Sequence, residues 1–258
     1  MPLFLYPYDM RIICCICILF SGITFAQLPK CVVKKEMKLV WQDEFDGEKI
    51  DLEKWNFRYP GSVRGNGVVK KDNCYLDGEG HLVIEAVKAD TNYYIGQVST
   101  MKTKLFKYGY FECRAKLTTQ VGTSCAFWLQ SPTFGEIIGD PEKSGAEVDI
   151  FEYRRKYRTN EVHHTVHWDG YGDAHQQKGK SPIKKGLDDG EFHTFGLLWT
   201  EKKYFFFVDG KKSWCTRKAV SGRTLYIILS LEMNDWSGDP SNSSFPDKVL
   251  YDCVRVYQ

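Results

Sequence analysis

Gly145-Ala146-Glu147-Val148-Asp149-Ile150-Phe151-Glu152-Tyr153 is the stretch on which the reading of this chain turns. Side chains two apart on a β-strand share a face. Glu147 and Asp149 therefore point one way, and Val148 and Ile150 the other. Branched and aromatic residues favour the pleated, half-buried surface of a sheet, so the segment predicts a strand with one acidic face and one core face. Glu152 has the wrong parity for an unbroken strand. One inserted residue near Ile150–Phe151, a β-bulge, returns it to the acidic face. Bulges concentrate beside active sites because they re-aim side chains.

Three carboxylates on one face repel one another and cost stability unless chemistry or a cation uses them. Close carboxylates also split their proton affinities, so that one stays protonated near neutral pH. Hydrolysis of a glycosidic bond needs that division, an ionised nucleophile beside a protonated acid. Neighbouring positions on one strand suit the separation of roughly 5–5.5 Å found in retaining enzymes better than the wider gap of inverting ones. The plainer alternatives are an exposed acidic edge strand and a cation site.

Working outward, short β-rich runs recur between turn signals. They are Leu82–Val87, Tyr108–Leu117, Ser124–Gln130, Ala146–Tyr153, Val162–Trp168, Phe192–Thr200, Lys203–Val208, Leu225–Leu231 and Val249–Tyr257. The turns include Asp77-Gly78-Glu79-Gly80, Asp169-Gly170 and Asp209-Gly210. No repeat, coiled-coil heptad or long helical period interrupts them. The pattern predicts an all-β sandwich, one domain over residues 27–258. The irregular pieces Arg58–Asn73, Ser131–Ser144 and Tyr171–Gly190 are long enough to be functional loops.

Residues 1–26 read as a signal peptide. Arg11 precedes the apolar run Ile12–Phe20, and Thr24 and Ala26 suit cleavage after Ala26, with Met10 an alternative start. The run is too short for a membrane span. The product is expected to be secreted, periplasmic or at the cell surface. A net charge of +2 argues against a nucleic-acid partner bound by phosphate neutralisation. Aromatics make up 15% of the chain, serving either strands or a groove on which sugar rings stack. Of nine cysteines, Cys14, Cys15 and Cys17 leave with the signal. The remaining even set permits disulfides in an exported protein. Cys113 and Cys125 flank the turn-like Thr118–Gly122 and form the one arguable pair. The alternative is that the cysteines are small buried apolar residues.

Further segments line up with the acidic strand. They are Trp41-Gln42-Asp43-Glu44-Phe45-Asp46-Gly47, Tyr108-Gly109-Tyr110-Phe111-Glu112-Cys113-Arg114, Ala126-Phe127-Trp128-Leu129, Phe207-Val208-Asp209-Gly210 and Asp252-Cys253-Val254-Arg255-Val256-Tyr257. In this order, with the bulged Glu-x-Asp-x-x-Glu at Glu147, they resemble glycoside hydrolase family 16 over about Leu39 to Gln258. The resemblance implies a jelly-roll sandwich of the concanavalin A-like lectin/glucanase type, two curved antiparallel sheets with substrate in the concave face. It implies Glu147 as nucleophile, Glu152 as general acid/base, and Asp149 as the group that holds Glu147 and tunes the shared proton. Trp128 resembles a platform beneath the reacting sugar, with a core Trp as the alternative. His167 matches a cleft His or a structural one, and Trp236 the Trp of a cleft-rim loop. Glu232 reads first as a surface acid, with a cleft-facing acid as the alternative. No cofactor is implied for catalysis. A structural calcium is implied at Glu44 and Asp252, although calcium needs several oxygen ligands.

The bulged form sides with laminarinase-like, agarase-like, carrageenase-like and endo-galactosidase-like members. The absence of Asn-Asn-Glu from Arg58–Asn73, and the insertion Pro132–Ser144, count against a simple β-1,3-glucan specificity. The run Arg154, Arg155, Lys156 and Arg158 reads either as a solvated loop or as a contact for sulfated or acidic glycans. The expectation is a monomeric, retaining endo-β-glycosidase acting on a polysaccharide or oligosaccharide, β-1,3-glucan or β-galactan, with no nucleotide or nucleic acid. One alternative is an endo-β-galactosidase on sulfated galactan or mucin- and keratan-type glycans. The other is a non-catalytic, lectin-like sugar binder.

Overall fold

Alternation at period two becomes two packed sheets in the computed structural model, which describes residues 28–258. The expected leader, with Cys14, Cys15, Cys17 and the cleavage point at Ala26, lies outside the described residues. A short helix α1 (Lys30–Val33) opens the described chain. The first strands are β1 (Leu39–Asp43), β2 (Asn56–Phe57), β3 (Val63–Arg64), β4 (Gly67–Val69), β5 (Cys74–Leu76), β6 (Leu82–Ala89), β7 (Asn92–Ile95) and β8 (Gln97–Ser99). Then come β9 (Gly109–Lys116), β10 (Ser124–Gln130), helix α2 (Pro141–Ser144), β11 (Glu147–Arg154), β12 (His163–Trp168) and β13 (Gln176–Lys180). The chain closes with β14 (Phe192–Thr200), β15 (Lys203–Val208), β16 (Lys211–Thr216), β17 (Tyr226–Glu232) and β18 (Asp247–Tyr257).

One sheet runs β16-β15-β14-β9-β18-β6-β7-β4-β3, with β1 added on β18 and β5 on β6. The other runs β13-β12-β11-β10-β17-β8-β2 and is antiparallel throughout. This is the expected jelly-roll sandwich. β10 shows how the sequence divides its faces. Cys125, Phe127 and Leu129 enter the core between the sheets, while Ala126 and Trp128 pack with Tyr226 and Ile228 of β17 on the opposite face. Val148, Ile150, Phe151 and Tyr153 of β11 are all core residues. Phe151 meets Phe195 of β14 across the sandwich with ring centroids 4.0 Å apart. Burial of such side chains is the main favourable contribution to the fold, and truncating one to Ala costs roughly 3–5 kcal/mol.

The predicted bulge is present. Phe127 pairs with Phe151 and Trp128 with Asp149, so Ile150 has no opposite residue on β10. On the other side Glu152 pairs with His163 and Asp149 with Thr165, leaving His164 opposite both Ile150 and Phe151. Two consecutive core residues result, and Glu152 returns to the face of Glu147 and Asp149. Gly145 opens this strand with φ 83°, where a Cβ would collide with Ser131, so only glycine fits there.

The stretches expected to be irregular carry more structure than the sequence signalled. β3 and β4 lie within 58–73, α2 ends 131–144, and β13 lies within 171–190. Strands of two or three residues, or the wholly polar β13, carry too little alternation to be read from sequence.

Cys113 and Cys125 do not form the arguable disulfide. Cys31, Cys74, Cys113, Cys125, Cys215 and Cys253 are all thiols. Cys113 lies on β9 and Cys125 on β10, in opposite sheets, and both are core residues. Burial pushes the Cys125 thiol up to about 12. Adding a reductant is therefore expected to leave the unfolding midpoint in guanidinium unchanged. A fall in that midpoint of more than a few tenths molar would show a stabilising disulfide.

Candidate active site

Alternate side chains of β10, β11, β12 and β17 make the floor of a cleft. Trp128, Glu147, Asp149, Glu152, Ser230 and Glu232 line its centre. Glu147 and Asp149 are buried, while Glu152 is the most open of the three acids. The Glu147 Oε2 atom accepts from Gln130 Nε2 at 2.6 Å and from the Tyr171 hydroxyl. Among the described residues nothing donates to Oε1, so that oxygen is left for other chemistry. Tyr171 is brought there by its loop. Its ring packs edge-on against Phe134 at 5.0 Å, and Asp169 Oδ1 accepts from the Gly139 amide at 2.8 Å.

Gln130 is oriented in turn by Arg58, which is only 3% exposed. The guanidinium donates to Gln130 Oε1 at 3.4 Å and to Gln97 Oε1 at 3.0 Å. Arginine has donors only, so both glutamines must turn their oxygens towards it and their NH2 groups away. One NH2 then meets Glu147, and the other meets Glu232 Oε1 at 3.0 Å. The Tyr226 hydroxyl also donates to Gln130 Oε1.

Burial, then the neighbouring Asp149, raises Glu147 to about 7, against the opposing pull of His167, Tyr171 and Gln130. Burial, then Asp149, raises Glu152 well above the ordinary range. Asp149 is raised too, by burial and then by Glu232. Three acids in one dry cleft raise one another's proton affinity, so they do not all carry a full charge together.

The other expected residues fall as follows. Trp128 lies on the cleft floor, 5% exposed, its Nε1 donating to Ser230 Oγ at 3.0 Å, with Arg58 over its ring at 4.9 Å. His167 Nε2 lies 3.0 Å from Asp149 Oδ2 but without hydrogen-bond alignment, so Oδ2 has no hydrogen-bond partner. Its Nδ1 faces His175 Nε2 at 2.9 Å. Trp236 lines an adjoining part of the cleft with Glu152, His163 and Gln177. Arg154 stacks on the Trp236 ring at 4.1 Å.

Two expectations are corrected. Glu232 is a cleft residue, not a surface acid: Arg64 pairs with it at 2.8 Å, and Gln97 donates to it. Glu44 and Asp252 do not fit a calcium site. Both Glu44 carboxylate oxygens bind the Arg255 guanidinium, at 2.8 and 2.7 Å, and Asp252 pairs with Arg114 at 3.0 Å. Fixed cations already satisfy these oxygens. The groups of three ligating side chains among the described residues are Asp77, Glu79, His81 and Glu147, Asp149, His167, and neither includes them.

Gln130, Tyr171, Arg58 and Arg64 were missed. Parity with Trp128 was a usable signal for Gln130. The others sit in the stretches 58–73 and 171–190, which stand out in the sequence only by their length.

A family model for the GH16 domain of β-porphyranases A–D matches residues 38–258. The chain belongs to glycoside hydrolase family 16. Its relatives within and around this family include the clotting factor G alpha subunit of Tachypleus tridentatus, 26% identical over 88% of this chain. The chain spans only 35% of that relative's length. It is 27% identical to β-porphyranase B of Zobellia galactanivorans, over 87% of this chain and 85% of the relative. Among solved structures it is similar to a laminarinase from Flavobacterium sp. UMI-01, with a TM-score of 0.73 and 26% identity over 86% of this chain and all of that one (100%). The family 16 fold thus accounts for the two sheets and the bulged strand together.

The raised Glu147 has a consequence for stability. Between the ordinary carboxyl value of 4.5 and about 7, the folded chain holds a proton there that the unfolded chain has released. Stability from this group is therefore fully present below 4.5 and is lost as pH rises through about 7. Glu147→Gln removes the effect. The variant is expected to gain about 3 kcal/mol over the wild type on going from pH 4 to pH 8. Melting temperatures across that range check it, and parallel curves for the two proteins would refute it.

Proposed function

We propose that the chain is a secreted, retaining endo-β-glycosidase, with Glu147 as nucleophile and Glu152 as general acid/base. One observation carries the reading. The bulge sets Glu147, Asp149 and Glu152 in one buried cleft, and Glu147 alone is gripped by donors on a single oxygen. Gln130 and Tyr171 favour its ionised form, while nothing donates to the Glu152 carboxyl among the described residues. Burial and the neighbouring Asp149 raise the proton affinity of Glu152, which suits it to donate, and it lines both parts of the cleft.

In the first step Glu147 Oε1 attacks the anomeric carbon while Glu152 protonates the departing oxygen. In the second, Glu152 takes a proton from water, which attacks the glycosyl ester and releases Glu147. Asp149, whose proton affinity burial raises, limits the repulsion between them by sharing a proton. Trp128 gives the sugar a flat apolar floor. Export rests on the apolar run Ile12–Phe20.

Glu147→Gln is expected to abolish turnover while preserving the fold. Glu152→Gln is expected to lower turnover of polymer by at least ~100-fold and to spare aryl glycosides, whose leaving groups need no proton. Product release followed by proton NMR should show the β-anomer first. An α-anomer first, or an active Glu147→Gln protein, would overturn the assignment. Sugar binding without any product would favour the lectin-like reading.

A second observation bears on substrate. Of the basic run, Arg154 points along the Glu152 face, and its Nε is buried without a hydrogen-bond partner. It stacks on Trp236 and forms no ion pair among the described residues. Together with the porphyranase-type family match, this favours a β-galactan bearing acidic groups over a neutral β-glucan. Porphyran, agarose, laminarin, keratan sulfate and mucin O-glycans form the test panel. Arg154→Ala is expected to cost ~10-fold or more in kcat/KM on a sulfated polymer and little on a neutral one. Preferred cleavage of laminarin, or equal losses on both, would reject this substrate.

A further inference from the structure

His164 stands on the strand beside the proposed acid, but on the face away from the cleft, and no step of the reaction above uses it. It is fully buried, and its ring lies against Phe206 at 4.9 Å. Its Nδ1 is 2.6 Å from the carbonyl oxygen of Ile150. Its Nε2 is 2.8 Å from Ser213 Oγ. A carbonyl oxygen only accepts, so Nδ1 carries the hydrogen and Nε2 accepts from the Ser213 hydroxyl. Burial lowers the ring's proton affinity to about 4, which keeps this neutral tautomer at neutral pH.

The position of these contacts is what matters. Ile150 is the inserted residue of the bulge, and His164 is the single residue opposite the inserted pair. A bulged residue loses its regular ladder partner, and a buried carbonyl without a partner costs free energy. His164 supplies the missing donor. Ser213 belongs to β16 in the opposite sheet, so the bulge is tied through the ring to the far side of the core. Without that tie, the strand gains by straightening, and a one-residue straightening turns Glu152 into the core face.

We propose that His164 is a positioning residue that pins the Ile150 bulge and so holds Glu152 on the cleft face. The inference rests on Glu152 being the acid/base, and the experiment separates the two. His164→Phe keeps ring and volume but removes the donor. His164→Asn restores a donor nitrogen near the place of Nδ1. Each is assayed beside Glu152→Gln, on the polymer that the wild type cleaves and on an aryl glycoside. Glu152 is also followed by carbon NMR of labelled glutamate carboxyls, a readout that needs no turnover. Asp149, Glu147, Glu232 and His167 are the charged groups that face Glu152 in this titration.

His164→Phe is expected to lose ~100-fold in kcat on polymer, the scale of a general acid, with KM and the aryl glycoside rate little changed. Its Glu152 signal is expected to move still further above the ordinary carboxyl range, because the core face is drier than the cleft, and His164→Asn to restore both. If His164→Phe does not fold, Ser213→Ala, at a half-buried site, is read in the same way with a smaller loss. Equal losses on both substrates, or an unmoved Glu152 signal in a folded His164→Phe or Ser213→Ala protein, would overturn the role of His164. A Glu152→Gln protein that keeps full polymer turnover would instead remove Glu152 as the acid, and the carboxyl signal would still decide whether His164 pins it.

Discussion

The rest of the cleft depends on one backbone irregularity, the inserted Ile150 in β11. An unbroken strand sends alternate residues to opposite faces, so Glu147 and Glu152, five apart, would part company. The extra residue places Ile150 and Phe151 together in the core and brings Glu152 back beside Asp149. Its cost is a displaced carbonyl, which His164 takes up. Packing helps to fix the same register. Phe151 is held against Phe195, and straightening the strand would pull that ring from the core.

Around the bulge the protein arranges donors and acids unequally. Arg58 cannot accept a hydrogen bond, so it dictates which way Gln130 and Gln97 face. Each glutamine passes that orientation on as an NH2 aimed at a carboxylate. Glu147 gains Tyr171 besides, and Glu232 gains Arg64. Glu152 receives no such support and sits in the same dry, acidic surroundings. Burial raises every acid in the group, and the uneven supply of donors separates their roles. The division between an ionisable nucleophile and a proton-holding acid is thus built from neutral and cationic side chains, several of which never reach the floor of the cleft.

Elsewhere the same residue types serve only the fold. Glu44 and Asp252 carry the same charge as the cleft acids, but each meets a guanidinium directly. A paired carboxylate on the outer face of the sheet is a structural group. Cys113 and Cys125 are likewise apolar filling: both are thiols packed among the hydrophobic side chains of the core.

The sequence by itself determined the sandwich, the acidic strand, the site of its bulge and the three cleft acids. These follow from local periodicity, and a break in parity at Glu152 can be seen in nine consecutive residues. The same parity, carried along β10, was enough to reach Gln130. Only the tertiary structure decided the rest. Arg58 meets Gln130 across 72 positions, and Arg64 meets Glu232 across 168. Tyr171 reaches Glu147 from a loop with no alternation to place it. Glu232, Glu44 and Asp252 differ in what faces them, not in their neighbours along the chain. Charge partners and hydrogen-bond donors act through space over a few ångströms, and only folding brings these residues within that distance.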